Sequence, residues 1–227
     1  MASSPSRLSR EYVENGTIRK ETRPTKEYCT EIIIVRHGET DWNALHKMQV
    51  AERLAREPKI SAIYSSDLKR ALETAQTIAS KCFGLEVVID KDLRERHIGD
   101  LQGLVFSEAS KINPIAFEAL MSNSEHQQIP GGGESRNQLF ERCTSSLQRI
   151  AKKNKGARVV VVTHGAVIEM LYKRAIRGGK AGGVWNTSIS IFELSDGDKW
   201  CIKLWNDISH LKESEYLESA SGGSAST

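Results

Sequence analysis

Two uninterrupted runs of β-branched residues occur in the chain, at Ile32–Val35 and at Val159–Val162. Apolar runs of this length without polar alternation are typical of strands buried on both faces of a parallel sheet. Four more segments are predicted as strands, the last two as a hairpin around Asp196-Gly197-Asp198: Ile60–Tyr64, Glu86–Ile89, Thr187–Leu194 and Lys199–Trp205.

Apolar residues at helical spacing predict three helices between these strands, at Asp67–Cys82, Glu134–Lys153 and Ala166–Arg177. Ser66 stands where a serine side chain caps the first turn of a helix. Strands that alternate with helices predict an α/β fold. We therefore expect a three-layer sandwich, in which a mostly parallel sheet is flanked by helices on both faces.

The composition fits one compact domain, since the 227 residues are 39% hydrophobic and 27% charged. We expect a flexible N-terminal extension over residues 1–30, a folded domain over 31–212 and a disordered tail over 213–227. The 32 Lys and Arg and the 29 Asp and Glu are spread along the chain, which argues against nucleic acid as a partner. The apolar runs are far too short for a membrane span. Oligomeric state stays open.

The four cysteines, Cys29, Cys82, Cys143 and Cys201, lie far apart and form no Cys-x-x-Cys pair. This spacing favours reduced, buried thiols over a disulfide framework or a zinc site. The first 30 residues contain no apolar secretory signal, and they carry several glutamates, which transit peptides avoid. We therefore expect a cytoplasmic protein, with organellar import not favoured.

Each of the two buried strands is followed by a His-Gly pair. Ile32–Val35 leads into Arg36-His37-Gly38, and Val159–Val162 leads through Thr163 into His164-Gly165. A third predicted strand leads into a helix whose first turn carries Arg70. Because ligands bind at the carboxyl ends of strands in open α/β sheets, we expect these side chains to meet there. Imidazoles and guanidinium groups at one rim predict a site for a phosphoryl group.

Two other interpretations of these residues fit the sequence less well. A single Arg-His-Gly tripeptide is also common in a surface turn, but two His-Gly pairs after two apolar strands are harder to explain in that way. A two-histidine metal site lacks a His-x-His or His-Glu-x-x-His motif, and Arg36 beside His37 would repel a cation. We therefore expect no metal.

Five blocks of sequence, in the same order, resemble the histidine phosphatase superfamily, which includes the cofactor-dependent phosphoglycerate mutases. The resemblance spans about residues 31–206 and implies the fold expected above. The blocks read I-I-V-R-H-G-E-T-D-W-N at Ile33–Asn43, Y-S-S-D-L-K-R-A-L-E-T-A at Tyr64–Ala75, L-R-E-R-H-I-G-D-L-Q-G at Leu93–Gly103, P-G-G-G-E-S at Pro130–Ser135 and V-V-T-H-G at Val161–Gly165.

The resemblance implies roles for particular residues. His37 would be the nucleophile that forms a phosphohistidine, and Glu95 would protonate the leaving alkoxide and then activate water. The groups that would hold the phosphoryl oxygens and the substrate are Arg36, Arg70 and a cationic His164, with Asn43 as a further polar contact and Gly165 beside them.

The chemistry requires these residue types independently of the resemblance. An alkoxide leaves poorly, and a positioned carboxylic acid accelerates such a step by about 10²- to 10⁴-fold. Phosphoryl transfer depends on positioning and charge stabilisation, which arginines and imidazoles can supply in place of magnesium ions. The prediction is a small phosphorylated substrate and no cofactor. Alone, Glu95 in its Arg94-Glu95-Arg96 run would more simply be a solvated ion pair, and Arg70 an exposed helix residue.

The chain departs from the family pattern after Asn43, where a substrate loop and most of a long helix are absent. Only residues 36–59 remain to connect two parallel strands, which is feasible with a first crossover helix shortened to about two turns before Pro58. We expect this to leave apolar surface exposed on one face of the sheet and to weaken the substrate-side wall of the pocket.

Three functions remain open, of which hydrolysis is favoured. A mutase must hold a highly anionic intermediate, yet the candidate lid at about residues 104–133 has Lys111 as its only Lys or Arg. The sequence therefore favours a metal-independent phosphatase of a small phosphomonoester over a phosphoglycerate mutase. A weakly active or inactive protein that binds phosphorylated metabolites is the third possibility, because of the missing segment.

Overall fold

The computed structural model describes residues 10–14, 17–21, 28–38, 43–82, 84–177, 179–195 and 198–211. Within these ranges, a two-stranded antiparallel hairpin lies in the predicted N-terminal extension, where the sequence indicated no strands, and six more strands form one sheet. The strands are β1 (Arg10–Glu14), β2 (Thr17–Glu21), β3 (Cys29–Arg36), β4 (Ala62–Ser65), β5 (Val87–Ile89), β6 (Arg158–Thr163), β7 (Ile189–Ser195) and β8 (Lys199–Asp207).

The main sheet has the order β5-β4-β6-β3-β7-β8, and its first four strands are parallel. Ile32 of β3 lies opposite Val159 of β6, so the two predicted β-branched runs are neighbours at the centre. The last two strands run antiparallel as the predicted hairpin, although Asp196 and Gly197 of its turn lie outside the described residues. The mostly parallel three-layer sandwich is thus confirmed.

Six α-helices lie in the described part of the chain, and the three that the sequence predicted are among them. Their bounds are α1 (Asn43–Ala55), α2 (Lys69–Lys81), α3 (Phe106–Ile112), α4 (Pro114–Met121), α5 (Arg136–Lys153) and α6 (Gly165–Ala175), with short 3-10 helices at Lys91–Leu93 and Gly99–Leu101. The sequence missed α3 and α4. None of the described helices has both the length and the apolar character that crossing a bilayer requires.

The two faces of the sheet are covered by different helices. Ile32 and Ile34 of β3 pack in the core formed with α5 and α6. Ile33 and Val35 pack in the core formed with α1 and α2. All four side chains are fully buried, because side chains alternate between the faces of a strand and both faces here are covered.

Helix α1 corrects the expectation for the shortened crossover. It has 13 residues, Asn43–Ala55, rather than about two turns. Its inner side covers the sheet, so the predicted exposure of that face does not occur at Ile33 or Val35, which are fully buried. The residues that α1 contributes to this core are Val50, Ala51 and Leu54.

The cysteines are all free thiols, but only two of them are buried. The expectation of four buried thiols is therefore wrong for Cys29 and Cys201. Cys29 is the first residue of β3, and Cys201 lies on the edge strand β8, where alternate side chains face solvent. Burial raises the pKa of the Cys143 thiol to about 12, so that thiol stays protonated at neutral pH.

Candidate functional site

The carboxyl ends of β3, β4 and β6 lie side by side at one edge of the sheet, as the sequence predicted. The ladder hydrogen bonds continue past the strand ends, since the N–H of His37 donates to Thr163 O at 3.0 Å. In the same way, the N–H of Ser66 donates to Val162 O at 3.1 Å. The backbone that carries the site is therefore fixed by the central sheet rather than by loops.

The two predicted histidines face each other at this edge. The ring centroids of His37 and His164 are 4.8 Å apart, with an angle of 58° between the ring planes. Both side chains are buried, at 1% and 0% exposure. Arg70 is brought to the same place, and its Nε donates a hydrogen bond of 3.1 Å to Nε2 of His37.

The contacts of His37 select one form of its ring. Because Arg70 Nε can only donate, Nε2 of His37 must accept and therefore carries a lone pair. The other ring nitrogen, Nδ1, lies 3.2 Å from Gly38 O, a carbonyl that can only accept. The assignment that satisfies both contacts is the neutral tautomer with hydrogen on Nδ1. The side chain thus presents an unprotonated Nε2 beside a guanidinium group.

His164 is held by a residue that the sequence assigned a different role. Its Nε2 lies 2.9 Å from Ser66 Oγ, and its Nδ1 is buried without a hydrogen-bond partner among the described residues. Ser66 was predicted to cap α2, but the N-cap residue is Leu68, whose own side chain makes no capping bond. Ser66 Oγ accepts a hydrogen bond of 3.2 Å from the N–H of Leu68. Ser66 also connects the end of β4 to the His164 ring, which follows β6.

Burial lowers the pKa of His164 to about 2, and the nearby His37 and Arg70 act in the same direction. With only protein groups around it, the ring is therefore neutral at physiological pH. This differs from the cationic form implied by the family resemblance. An approaching phosphate dianion would raise the pKa of this ring, since a negative charge favours the protonated form.

Arg36 is fixed by the segment before β7. Its Nη1 donates to Val184 O at 2.5 Å. Its backbone N–H donates to Ser188 O at 3.3 Å, and its O accepts from the N–H of Thr187 at 3.0 Å. Thr187 adopts a left-handed conformation with φ 56°, which is rare for a β-branched residue and occurs mostly where surrounding structure imposes it.

Gly165 lies against the Arg36 side chain. A Cβ atom at this position would be 3.7 Å from Arg36 Nε and 3.8 Å from Cζ, which is ordinary van der Waals contact. Close approach therefore does not by itself require a glycine here. Asn43, predicted as a further polar contact, is the first residue of α1, but its side chain lies outside the described part of the structure.

The carboxyl group of Glu95 lies at the N-terminus of α6, close enough to Arg70 and Arg36 to be influenced by their charges. Burial raises the pKa of its carboxyl group above the usual value. The backbone N–H groups of Arg96 and Ala166 donate to it, and the charges of Arg70 and Arg36 favour its ionised form. The hydrogen bonds and the arginine charges lower the pKa of Glu95 by less than burial raises it. The site therefore holds a carboxyl group that binds a proton more tightly than a solvated glutamate does.

A partly buried ion pair supports the segment that carries Glu95, and sequence reasoning missed it. Arg142 on α5 binds both carboxylate oxygens of Glu134, at 2.6 and 2.7 Å. The same guanidinium donates to three backbone carbonyls of the Glu95 segment, those of Asp92, Arg94 and Glu95, at 2.8 to 3.1 Å. Helical spacing could not reveal this, because a lone arginine on a helix is usually a solvated residue.

The structure therefore brings five of the predicted residues to one site: His37, His164, Arg36, Arg70 and Glu95. Two imidazoles, two guanidinium groups and one carboxyl group can bind a phosphoryl group, attack its phosphorus and supply a proton. Within the described ranges, no group of three or more His, Cys, Asp and Glu side chains is arranged to hold a metal ion.

Comparison with known proteins gives concordant matches. A family model described as histidine phosphatase superfamily, branch 1, matches residues 32–208. Phosphoglycerate mutase-like protein 4 of Arabidopsis thaliana is 56% identical over 85% of this chain and 92% of its own length. The metal-independent phosphoserine phosphatase of the same plant is 44% identical over 86% of this chain and 89% of its own. The structure of a mycobacterial glucosyl-3-phosphoglycerate phosphatase matches with a TM-score of 0.64 and 26% identity, over 79% of this chain and 99% of that one.

Proposed function

This chain belongs to branch 1 of the histidine phosphatase superfamily, and we propose that it hydrolyses a small phosphomonoester through a phosphohistidine formed at Nε2 of His37. The family and the phosphatase relatives make it a phosphoric monoester hydrolase. The observation that carries the mechanism is the unprotonated Nε2 of His37, held by Arg70 within the buried pair of rings.

In the first step, the hydrogen bond from Arg70 Nε to His37 Nε2 is exchanged for one to a phosphoryl oxygen. The freed lone pair on His37 Nε2 then forms a bond to phosphorus while the bond from phosphorus to the ester oxygen breaks. The protonated carboxyl group of Glu95 gives its proton to the departing oxygen, so the leaving group is a neutral alcohol. The raised pKa of Glu95 suits this role, because it keeps the carboxyl protonated at higher pH than a solvated glutamate.

The cationic groups stabilise the charge that builds on the phosphoryl oxygens. Arg70 lies at the nucleophilic nitrogen, and Arg36 approaches from the β3 side. His164 contributes Nδ1, which has no hydrogen-bond partner among the described residues and is the ring atom available to a phosphoryl oxygen. If Ser66 donates its hydroxyl hydrogen to Nε2, then Nδ1 carries the hydrogen and can donate to that oxygen.

In the second step, water replaces the alcohol. The carboxylate of Glu95 accepts a proton from the water, whose oxygen attacks phosphorus while the bond from His37 Nε2 to phosphorus breaks. Inorganic phosphate leaves, and both Glu95 and His37 return to their starting forms. The cycle is balanced without a metal ion or an organic cofactor, so we propose that none is needed.

We propose the segment over about residues 104–133 as the lid of this site, within a phosphatase domain over 31–212. The helices α3 and α4 form a small apolar core of their own, separate from the two main cores. The three glutamates of this segment, Glu108, Glu118 and Glu125, make it a poor clamp for a bisphosphorylated intermediate. This favours hydrolysis over a mutase reaction. Asn43 and Gly165 remain expected substrate contacts.

The decisive experiment uses Glu95→Gln with p-nitrophenyl phosphate. Nitrophenolate leaves without a proton, so His37 should still be phosphorylated, whereas the second step should be slow. We expect a burst of nitrophenol of about one equivalent per site and an acid-labile, alkali-stable phosphate on His37. His37→Ala should show neither, and Lys59→Ala, a change at an exposed residue near the amino-terminal end of β4, which lies away from the site, should behave as wild type.

Four outcomes would contradict the proposal. Full turnover by His37→Ala would exclude the phosphohistidine. Loss of wild-type turnover in EDTA would indicate a metal ion. Formation of 2-phosphoglycerate from 3-phosphoglycerate, dependent on 2,3-bisphosphoglycerate and faster than phosphate release, would indicate a mutase. Phosphate binding without any turnover of p-nitrophenyl phosphate or O-phosphoserine would indicate the inactive binding protein.

A further inference from the structure

The edge strand β8 contains a bulge close to the site. Ile189 of β7 lies opposite Asp207 of β8, and Ile191 lies opposite Leu204. One residue of β7, Ser190, therefore faces two residues of β8, which is the arrangement of a β-bulge. The second of the two, Asn206, has a left-handed backbone with φ 51°. Bulges of this kind turn a side chain away from the direction that strand alternation would give it.

The bulge directs the Asn206 amide across the segment that holds Arg36. Asn206 Oδ1 accepts a hydrogen bond of 2.9 Å from the N–H of Trp185. Asn206 Nδ2 donates a hydrogen bond of 2.9 Å to Gly183 O. The residue between these two contacts is Val184, whose side chain is buried at 6% exposure and whose carbonyl oxygen accepts from Arg36 Nη1.

We propose that Asn206 is a positioning residue for phosphate binding, which acts by holding the Val184 carbonyl where it orients the Arg36 guanidinium group. The inference rests on the proposed function, because it takes Arg36 as a phosphate-binding group. Asparagine suits both demands of the position. It tolerates a left-handed backbone better than most residues, and its amide provides one acceptor and two donors, enough for both contacts.

The backbone and the side chain of Asn206 can be tested separately. Asn206→Gly accepts the left-handed backbone and keeps the N–H that donates to Ser190 Oγ at 2.9 Å, but it removes both amide contacts. Asn206→Asp keeps an acceptor for Trp185 and places a carboxylate oxygen against the Gly183 carbonyl. Asp198→Gly is the matched control, since Asp198 is also left-handed with φ 61° and lies at the other end of the β7–β8 hairpin.

The measurements are the Kd of inorganic phosphate by calorimetry and the kcat/KM for p-nitrophenyl phosphate. We expect Asn206→Gly to weaken phosphate binding and to lower kcat/KM by about 3- to 10-fold. This is the effect of losing about one hydrogen bond from a misplaced Arg36 to the phosphate. Asn206→Asp should lower phosphate affinity and kcat/KM at least as much, because a carboxylate oxygen then faces the carbonyl oxygen of Gly183. Asp198→Gly should leave both unchanged, even if it lowers Tm.

A double-mutant cycle distinguishes positioning from a general loss of structure. If Asn206 acts through Arg36, then Asn206→Gly should change the phosphate Kd little when Arg36 is already alanine. The same fold-loss in both backgrounds would overturn the inference, as would a wild-type Kd in Asn206→Gly. Failure of the proposed function has a different readout, which is turnover that survives His37→Ala. In that case the phosphate Kd would still test whether Asn206 positions Arg36. A wild-type chain that binds no phosphate would overturn both.

Discussion

Ser66 Oγ lies 2.9 Å from Nε2 of His164, so a serine at the end of β4 fixes the ring that follows β6. Both side chains are fully buried. A buried ring nitrogen needs a partner, and a partner on a separate strand sets the direction of the ring. The orientation of His164 Nδ1 toward a ligand thus depends on the pairing of two strands, because neither strand alone places both groups.

Ser66→Ala should lower kcat about tenfold, the equivalent of ~1.4 kcal/mol of transition-state stabilisation, because His164 loses the contact that orients it. Steady-state kinetics with p-nitrophenyl phosphate provide the measurement. Ser65→Ala is the control, since Ser65 is equally buried but its hydroxyl group donates to Ser66 O at 2.8 Å. An equal loss of kcat in both variants would argue against a specific role for Ser66.

Glu95→Gln should turn over alkyl phosphomonoesters far more slowly than wild type, yet it should be more stable than wild type at alkaline pH. Burial raises the pKa of Glu95 in the folded chain, so the unfolded chain releases this proton first as pH rises. The free energy of unfolding of the wild type therefore decreases as the pH rises from the usual pKa of glutamate, about 4.3, to the raised pKa of Glu95 in the folded chain. Glutamine avoids this loss, and turnover of O-phosphoserine should drop by about 10²- to 10⁴-fold.

Thermal unfolding of both chains at about pH 4 and about pH 8 would measure this difference. The two Tm values should agree at the lower pH and separate at the higher pH, with the variant above wild type. Glu86→Gln, a change at an exposed glutamate, should have the same Tm as wild type at both pH values. A Glu95→Gln chain less stable than wild type at the higher pH would contradict a raised pKa of the Glu95 carboxyl group.

Arg142→Ala should both destabilise the protein and impair the general acid. The change leaves the carboxylate of Glu134 without its bidentate partner and frees the carbonyls of the Glu95 segment. Since the pair is about one-fifth exposed, we expect a loss of about 2 to 4 kcal/mol, somewhat less than for a fully buried pair. Urea unfolding and O-phosphoserine turnover provide the measurements.

Arg149→Ala on the same helix is the control for Arg142. Its guanidinium pairs with Asp90 and Asp92 but is 54% exposed, so a loss within about 1 kcal/mol is expected. If both arginine variants lost the same stability and the same activity, the supporting role of Arg142 would be wrong.

Leu54→Ala should destabilise the fold by about 2 to 5 kcal/mol, the usual cost of removing a buried leucine side chain. Leu54 is 2% exposed in the core under α1, whereas Leu45 on the same helix is 50% exposed. Leu45→Ala should therefore have little effect in the same urea titration. Equal effects of the two variants would mean that α1 does not cover the sheet as described. Apolar surface on that face of the sheet would then be exposed, as expected from the shortened crossover.

The main sheet was predictable because its signals are local. The β-branched runs of β3 and β6 needed only recognition as buried strands, and His37 and His164 follow them directly in sequence. The two lid helices were missed for the opposite reason. Several of their large apolar residues face solvent, among them Ile112 at 58% and Ile115 at 72% exposure, so no single buried face imposes a helical period.

The sequence by itself determined which groups could perform the chemistry: two histidines at strand ends, an arginine in the first turn of a helix, and a glutamate in a matched block. Only the tertiary structure decided their states and supports. The neutral tautomer of His37, the low pKa of His164 and the raised pKa of Glu95 arise from burial and from neighbours distant in sequence. Residue type depends on one position in the chain, whereas proton affinity and orientation depend on everything packed around it.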